Sequence, residues 1–166
     1  MTEHTPVVFL LVGLTGSGKT TYAQRKLEPE GAVRLSVDEA VHERHGRYGV
    51  DYPENTYFEK EAPVVAELHE RLAELVTEGR DVVWDHGLWP RKDREAMKQL
   101  VESVGGRWRL LYFPVKRDEL LRRLAERNER ADANALVVTP EALDDFFVRF
   151  EAPQGEGEEI VSPDSF

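Results

Sequence analysis

Residues 7–20, VVFLLVGLTGSGKT, constrain this chain more than any other stretch. Val7 to Val12 is a run of six apolar residues without alternation. Such a run reads as a strand buried on both faces, as in a parallel sheet. Gly13 to Thr20 follows and matches G-x-x-x-x-G-K-[ST] at every fixed position. A strand before the motif and a helix after it is the context the motif requires. Gly13, Gly16 and Gly18 permit backbone angles that turn successive N–H groups toward phosphate oxygens. The helix that starts near Gly18 adds its positive end. Lys19 has the reach for β- and γ-phosphates, and Thr20 offers a hydroxyl to Mg²⁺. The expected nucleotide contacts are Gly13, Thr15, Gly16, Ser17, Gly18, Lys19, Thr20 and Thr21. The bland alternative is a glycine-rich turn with a surface lysine.

The pattern continues as strand, helix, strand, helix. Thr20 to Leu27 reads as a helix stopped by Pro29 and Gly31, and Val33 to Val37 as a second strand. Asp38 to Arg44 reads as a short helix with Asp38 at its start. Val64, Val65, Leu68, Leu72, Leu75 and Val76 form one stripe of a helix over Phe58 to Glu78, with Gly79 as its stop. Asp81 to Asp85 is a third strand, Pro90 to Val104 a helix, and Trp108 to Val115 a fourth strand. Arg117 to Arg130 is a charged helix with Leu120, Leu121 and Leu124 inward. Thr139 is a natural N-cap for a helix to about Phe150. Glu156 to Val161 reads as a last short strand. This order predicts an α/β three-layer sandwich with a mainly parallel, five-stranded sheet, in one domain over 1–166. The tail after Val161 is expected to fray.

Composition narrows the partners. Asp and Glu number 32 against 22 Lys and Arg, a formal charge of -10. A chain this acidic is repelled by polyanions unless its basic residues are gathered locally, which argues against a long nucleic acid or an anionic membrane. Cys is absent, which excludes thiolate metal sites and a Cys nucleophile. No apolar run approaches the ~20 residues that span a bilayer. Met1 to Pro6 lacks a basic n-region and does not read as a signal peptide, so a cytoplasmic location is expected.

Three further groups carry chemistry. Asp85 ends the third strand, where a carboxylate can stand near Mg²⁺; a strand-ending Asp in a turn is the alternative. Asp38 ends the second strand and is a candidate base for an attacking hydroxyl; a helix N-cap is the alternative. Arg123, Arg127 and Arg130 share a helix face and can close over a triphosphate, although charge runs are usually solvated faces. His86 is a weaker candidate for a substrate contact.

With GLTGSGKT (13–20), LSVDE (35–39), VVWDHGLW (82–89), RRLAERNER (122–130) and VTPEALDDFFVRFEAP (138–153), the chain resembles the small P-loop kinases of the AAA-type ATP-binding family. These include the kinase domain of polynucleotide kinase, chloramphenicol phosphotransferase and the zeta-toxin kinases. The resemblance implies ATP and Mg²⁺ as cofactors and Asp38 as the residue that activates the acceptor hydroxyl. It implies Asp85 as the acid of the third strand and a helical lid over 117–139 carrying Arg123, Arg127 and Arg130. It also implies an adenine-bordering loop near Phe150 to Gln154. One departure bears on the acceptor. Segment 38–61 holds seven acids against three bases, unlike the basic channel of a polynucleotide kinase. The expected reaction is phosphoryl transfer from ATP to a small-molecule hydroxyl. The alternatives are a 5′-hydroxyl polynucleotide kinase and a nucleotide-binding ATPase or regulator without an acceptor. Tyr48, Tyr52, Pro53 and Tyr57 suit a neutral or cationic small molecule, or simply pack their loop. No N-K-x-D sequence for reading guanine is present, so the leaning to ATP comes from the resemblance.

Overall fold

The computed structural model describes residues 5–14, 17–46, 56–127 and 140–162. Its strands are β1 (Val7–Val12), β2 (Val33–Ser36), β3 (Val82–Asp85), β4 (Arg107–Tyr112) and β5 (Glu158–Ile160). They form one sheet in the order β2-β3-β1-β4-β5, and every pairing is parallel. The apolar run of β1 is central, with Val8 opposite Val82 on one side and Trp108 on the other. A central parallel strand is covered on both faces, which is why β1 shows no alternation.

The helices are α1 (Lys19–Tyr22), α2 (Val37–His45), α3 (Tyr57–Thr77), α4 (Arg91–Ser103), α5 (Arg117–Arg127) and α6 (Pro140–Arg149). Val8, Leu10 and Val12 of β1 face one layer, with Val41 of α2, Leu72 and Leu75 of α3 and Met97 and Val101 of α4. Leu11, Val83 and Leu111 face the other layer, with Ala23 and Leu27. A third cluster, Leu14, Leu120 and Leu143, joins the glycine-rich loop to α5 and α6. Val64, Leu72, Leu75 and Val76 of the predicted α3 stripe are buried, and Gly79 follows the helix at φ +84.

Several boundaries differ from expectation. The helix after the loop is one α-turn, then a π-helical segment Ala23–Leu27 and a 3₁₀ turn Glu28–Glu30. The wider π-turn keeps Ala23 and Leu27 buried while residues 24–26 stay exposed. β2 ends at Ser36, and Ser36, not Asp38, caps α2, its Oγ accepting from Glu39 N–H at 3.2 Å. Asp38 lies in the first turn of α2. β4 stops at Tyr112, and Phe113 to Val115 continue as coil toward the site. The start of the tail is tied down: Val161 N–H donates to Tyr112 O at 2.8 Å. Residues 163–166 lie outside the described residues, as does all of the lid region beyond Arg127, Thr139 included. Among the described residues, no helix is long and apolar enough to cross a membrane.

Candidate active site

The glycine-rich loop leaves the C-terminal end of β1. Gly13 N–H donates to Gly87 O at 3.3 Å, which ties the loop to the segment after β3. A Cβ on Gly13 would stand 2.6 Å from Ser17 Oγ and 3.2 Å from Phe113 O, so any side chain there would force the Ser17 hydroxyl aside and crowd the Phe113 carbonyl. Gly18 precedes α1 at φ +99, in the left-handed region the motif assigns to glycine. Lys19 Nζ folds back onto the loop and donates to Gly13 O and Leu14 O, each at 3.2 Å. Ser17 Oγ is buried without a hydrogen-bond partner. Thr21 lies in α1. Thr15 and Gly16 lie outside the described residues.

Thr20 and Asp85 meet. Thr20 Oγ1 donates to Asp85 Oδ2 at 2.8 Å, and the carboxylate is only 5% exposed. Strand order brings this about, because β3 lies beside β1 and ends just short of the loop, with Trp84 opposite Leu10. Arg34 of β2 donates from Nη1 to the same oxygen at 2.9 Å. The Arg34 side chain is 8% exposed and also meets Glu39 at 2.5 Å and Glu28 at 3.6 Å. Burial opposes its charge, but the carboxylates of Glu39 and Asp85 outweigh burial and raise its pKa above the ordinary value. A hydroxyl and a carboxylate side by side form an all-oxygen donor set. That suits Mg²⁺, which typically takes one or two protein ligands and completes its shell with phosphate and water.

Asp38 and Lys19 both lie close enough to His86 to act on its charge. His86 Nε2 lies 3.6 Å from Glu61 Oε1 of α3. Burial pulls the imidazole pKa down, but the Glu61 contact and the charges of Glu61 and Asp38 more than offset it. The net pKa lies above the ordinary 6.5. The Lys19 charge acts on the same ring in the opposite sense. Asp38, Glu61, His86 and Lys19 therefore share one electrostatic environment at the ends of β2 and β3. Behind them, burial and the His86 charge lower the pKa of His69, which packs on Trp84.

The arginine row is less gathered. Arg123 Nε donates to Glu119 Oε1 at 2.9 Å within α5. Arg122 pairs with Glu119 and Glu126 on the exposed face. Together Arg122 and Arg123 hold the Glu119 carboxyl down to about 2. Arg127 ends α5, and Arg130 lies outside the described residues, as do Tyr48, Tyr52 and Pro53.

A cavity of about 250 Å³ opens beside the loop, lined by Leu14, Tyr112, Phe113, Val115, Phe147 and Phe150 among others. It is an apolar slot of the kind a flat heterocycle fills. It borders the segment near Phe150 where an adenine contact is expected.

A family model described as "AAA domain" matches residues 8–153. The chain belongs to this AAA domain family. No curated protein matches it. Among solved structures, the chain resembles one in the Pnkp1/Rnl/Hen1 RNA repair complex, with a TM-score of 0.73 and 21% identity. That match covers 89% of this chain and 45% of the other, so this chain spans less than half of that relative. A gluconokinase from Sinorhizobium meliloti 1021 matches with a TM-score of 0.62 and 22% identity, over 98% of this chain and 84% of the other. An APS kinase from Mycobacterium tuberculosis, solved with AMPPNP and APS, matches with a TM-score of 0.64 and 17% identity, over 98% and 91%. The fold of this family member is that of P-loop kinases.

Sequence reasoning missed Arg34, Glu61, Trp89, Arg94 and Glu156. A charged residue inside the short strand VRLS was a signal for Arg34, since a buried cation requires carboxylate partners. Glu61 falls in the acidic segment 38–61 and Trp89 in VVWDHGLW, but neither stretch names a partner, and Arg94 and Glu156 carry no local signal. Arg94 and Glu156 are fully buried and bonded at 2.7 and 2.9 Å across 62 residues.

Proposed function

We propose that this protein is an ATP-dependent kinase that transfers the γ-phosphoryl group to a hydroxyl of a small molecule. The observation that carries the reading is the Thr20–Asp85 hydrogen bond, next in the chain to Lys19, and the charges of Asp38 and Lys19 both act on His86. Thr20 and Asp85 would hold Mg²⁺, which supplies charge neutralisation on the β- and γ-phosphates. Lys19 turns from the loop carbonyls to those phosphates. The adenine occupies the slot between Leu14 and Phe150. Asp38 orients the acceptor hydroxyl and takes its proton as the acceptor oxygen bonds to the γ-phosphorus. The bond from that phosphorus to the β–γ bridging oxygen breaks, and ADP leaves. His86, clamped by Glu61, positions the acceptor. Arg123, Arg127 and Arg130 belong to a lid that offsets charge in the transition state.

The small-molecule acceptor follows from local charge. Asp38 and Glu61 both bear on His86 at the acceptor side, while Arg44 is already paired with Glu67. A nucleic-acid acceptor needs free cations for its flanking phosphates. The likeness to the RNA repair chain favours a second reading, transfer to a 5′-hydroxyl of RNA. Transfer of label from γ-labelled ATP to sugars, polyols and amino alcohols, against a 5′-hydroxyl oligoribonucleotide at low salt, separates the two. Label on the small molecules alone is expected, and label on the oligonucleotide alone would overturn the reading. Hydrolysis of ATP indifferent to every acceptor would point to a nucleotide-dependent regulator. Asp38→Asn is expected to lower transfer by about 100-fold or more while AMPPNP affinity stays within about twofold. An unchanged rate would remove Asp38 from the chemistry.

A further inference from the structure

Trp89 lies after β3, as the last residue of VVWDHGLW (82–89), a stretch read for its Asp85 and His86. Its indole Nε1–H donates to Gly13 O at 3.2 Å, the same oxygen that accepts Lys19 Nζ at 3.2 Å. The other carbonyl holding Lys19, Leu14 O, also has a second donor, Ser17 N–H at 3.0 Å. Each oxygen that holds the ammonium therefore keeps a partner when the ammonium leaves. A part-buried carbonyl stripped of its donor is costly, and that cost would otherwise oppose Lys19 turning outward.

We infer that Trp89 is a positioning residue for triphosphate binding: its indole N–H keeps the Gly13 carbonyl satisfied while Lys19 moves to the β- and γ-phosphates. The inference rests on reading residues 13–20 as a triphosphate loop.

The indole is held for this task from three directions. Its ring packs on Phe146 of α6, centroids 4.9 Å apart. Its own carbonyl accepts Arg94 Nη1 at 2.7 Å and Glu151 N–H at 3.2 Å. Arg94 Nη1 also bonds the carbonyl of Leu88 at 2.9 Å, and Leu88 is the one described non-glycine residue at positive φ, +48. That unfavourable backbone is pinned by a cation whose remaining nitrogens grip Glu156. Gly87 completes the arrangement, because a Cβ there would stand 2.7 Å from the indole nitrogen.

The test compares calorimetric binding of AMPPNP, which engages Lys19, with binding of AMP, which has no β- or γ-phosphate. Trp89→Phe keeps the ring against Phe146 and deletes the donor. It is expected to weaken AMPPNP by about 5- to 10-fold and AMP by less than twofold. Equal weakening of both ligands, or of neither, would overturn the inference. The wild-type protein gives a second readout that needs no variant. The Trp89 indole N–H, observed by NMR, is expected to exchange more slowly with solvent when AMPPNP binds, as its acceptor ceases to be shared. Faster exchange would overturn the inference. Failure of AMPPNP to bind the wild type would instead overturn the nucleotide reading, and this inference with it.

Discussion

Thr20 Oγ1 donates to Asp85 Oδ2 across 2.8 Å, joining the first turn of α1 to the end of β3. Sixty-five residues separate the two, yet the parallel pairing of β1 with β3 sets them side by side. Asp85→Asn replaces one carboxylate oxygen with an amide and reduces the negative charge offered to a cation. The expected outcome is a Mg²⁺ requirement raised by about 10- to 100-fold, read from initial rates across a Mg²⁺ titration. An unaltered Mg²⁺ dependence would remove Asp85 from the metal site.

Arg34 stabilises that carboxylate. Arg34→Met leaves Asp85 buried without its cation, so unfolding should become easier by about 3 kcal/mol in urea. Adding Asp85→Asn should recover part of the loss, because the two changes remove opposite halves of one pair. Strictly additive effects would show that the pair is not coupled.

The Arg94–Glu156 pair predicts a pH dependence. Arg94 bonding holds the Glu156 carboxyl below its ordinary 4.5, in opposition to the smaller effect of burial. A depressed folded-state pKa means stability fully present above 4.5 and lost as pH falls through the lower folded value. Urea midpoints between pH 6 and pH 3 should therefore fall more steeply for the wild type than for Glu156→Gln. Parallel curves would contradict the assignment.

Gly87→Ala should act on the same loop without removing a polar side chain. Its Cβ would meet Trp89 Nε1 at 2.7 Å and Gly13 O at 3.3 Å, so the indole must shift. AMPPNP affinity is expected to fall by about 5-fold or more, with the melting temperature changed by only a few degrees. Full retention of affinity would indicate that the indole has room to move.

Much of the fold was legible because local rules govern it. The unbroken apolar run of β1, the α3 stripe and Gly79 each report burial or backbone angle over a few neighbouring residues. Boundaries were less legible. Whether Ser36 or Asp38 caps α2 depends on where β2 stops pairing with β3, which is not a property of either residue alone. The widened turn at Ala23–Leu27 likewise answers to the sheet beneath it rather than to helix propensity.

Taken alone, the sequence determined a buried strand, a phosphate-type loop and a helix in one continuous stretch, because their hydrogen bonds and dihedral preferences lie within 14 residues. It also placed Asp85 at the end of β3, where a parallel sheet presents its carboxyl edge, but set Asp38 at the end of a strand where the structure has the first turn of α2. Tertiary structure alone decided which charges meet. The order β2-β3-β1-β4-β5 sets Arg34 against Asp85. Docking of the tail brings Glu156 to Arg94, and the turn after β3 carries Trp89 to Gly13. Such partners are selected by side-chain reach and by the exclusion of water across elements, and neither leaves a periodic trace in the chain.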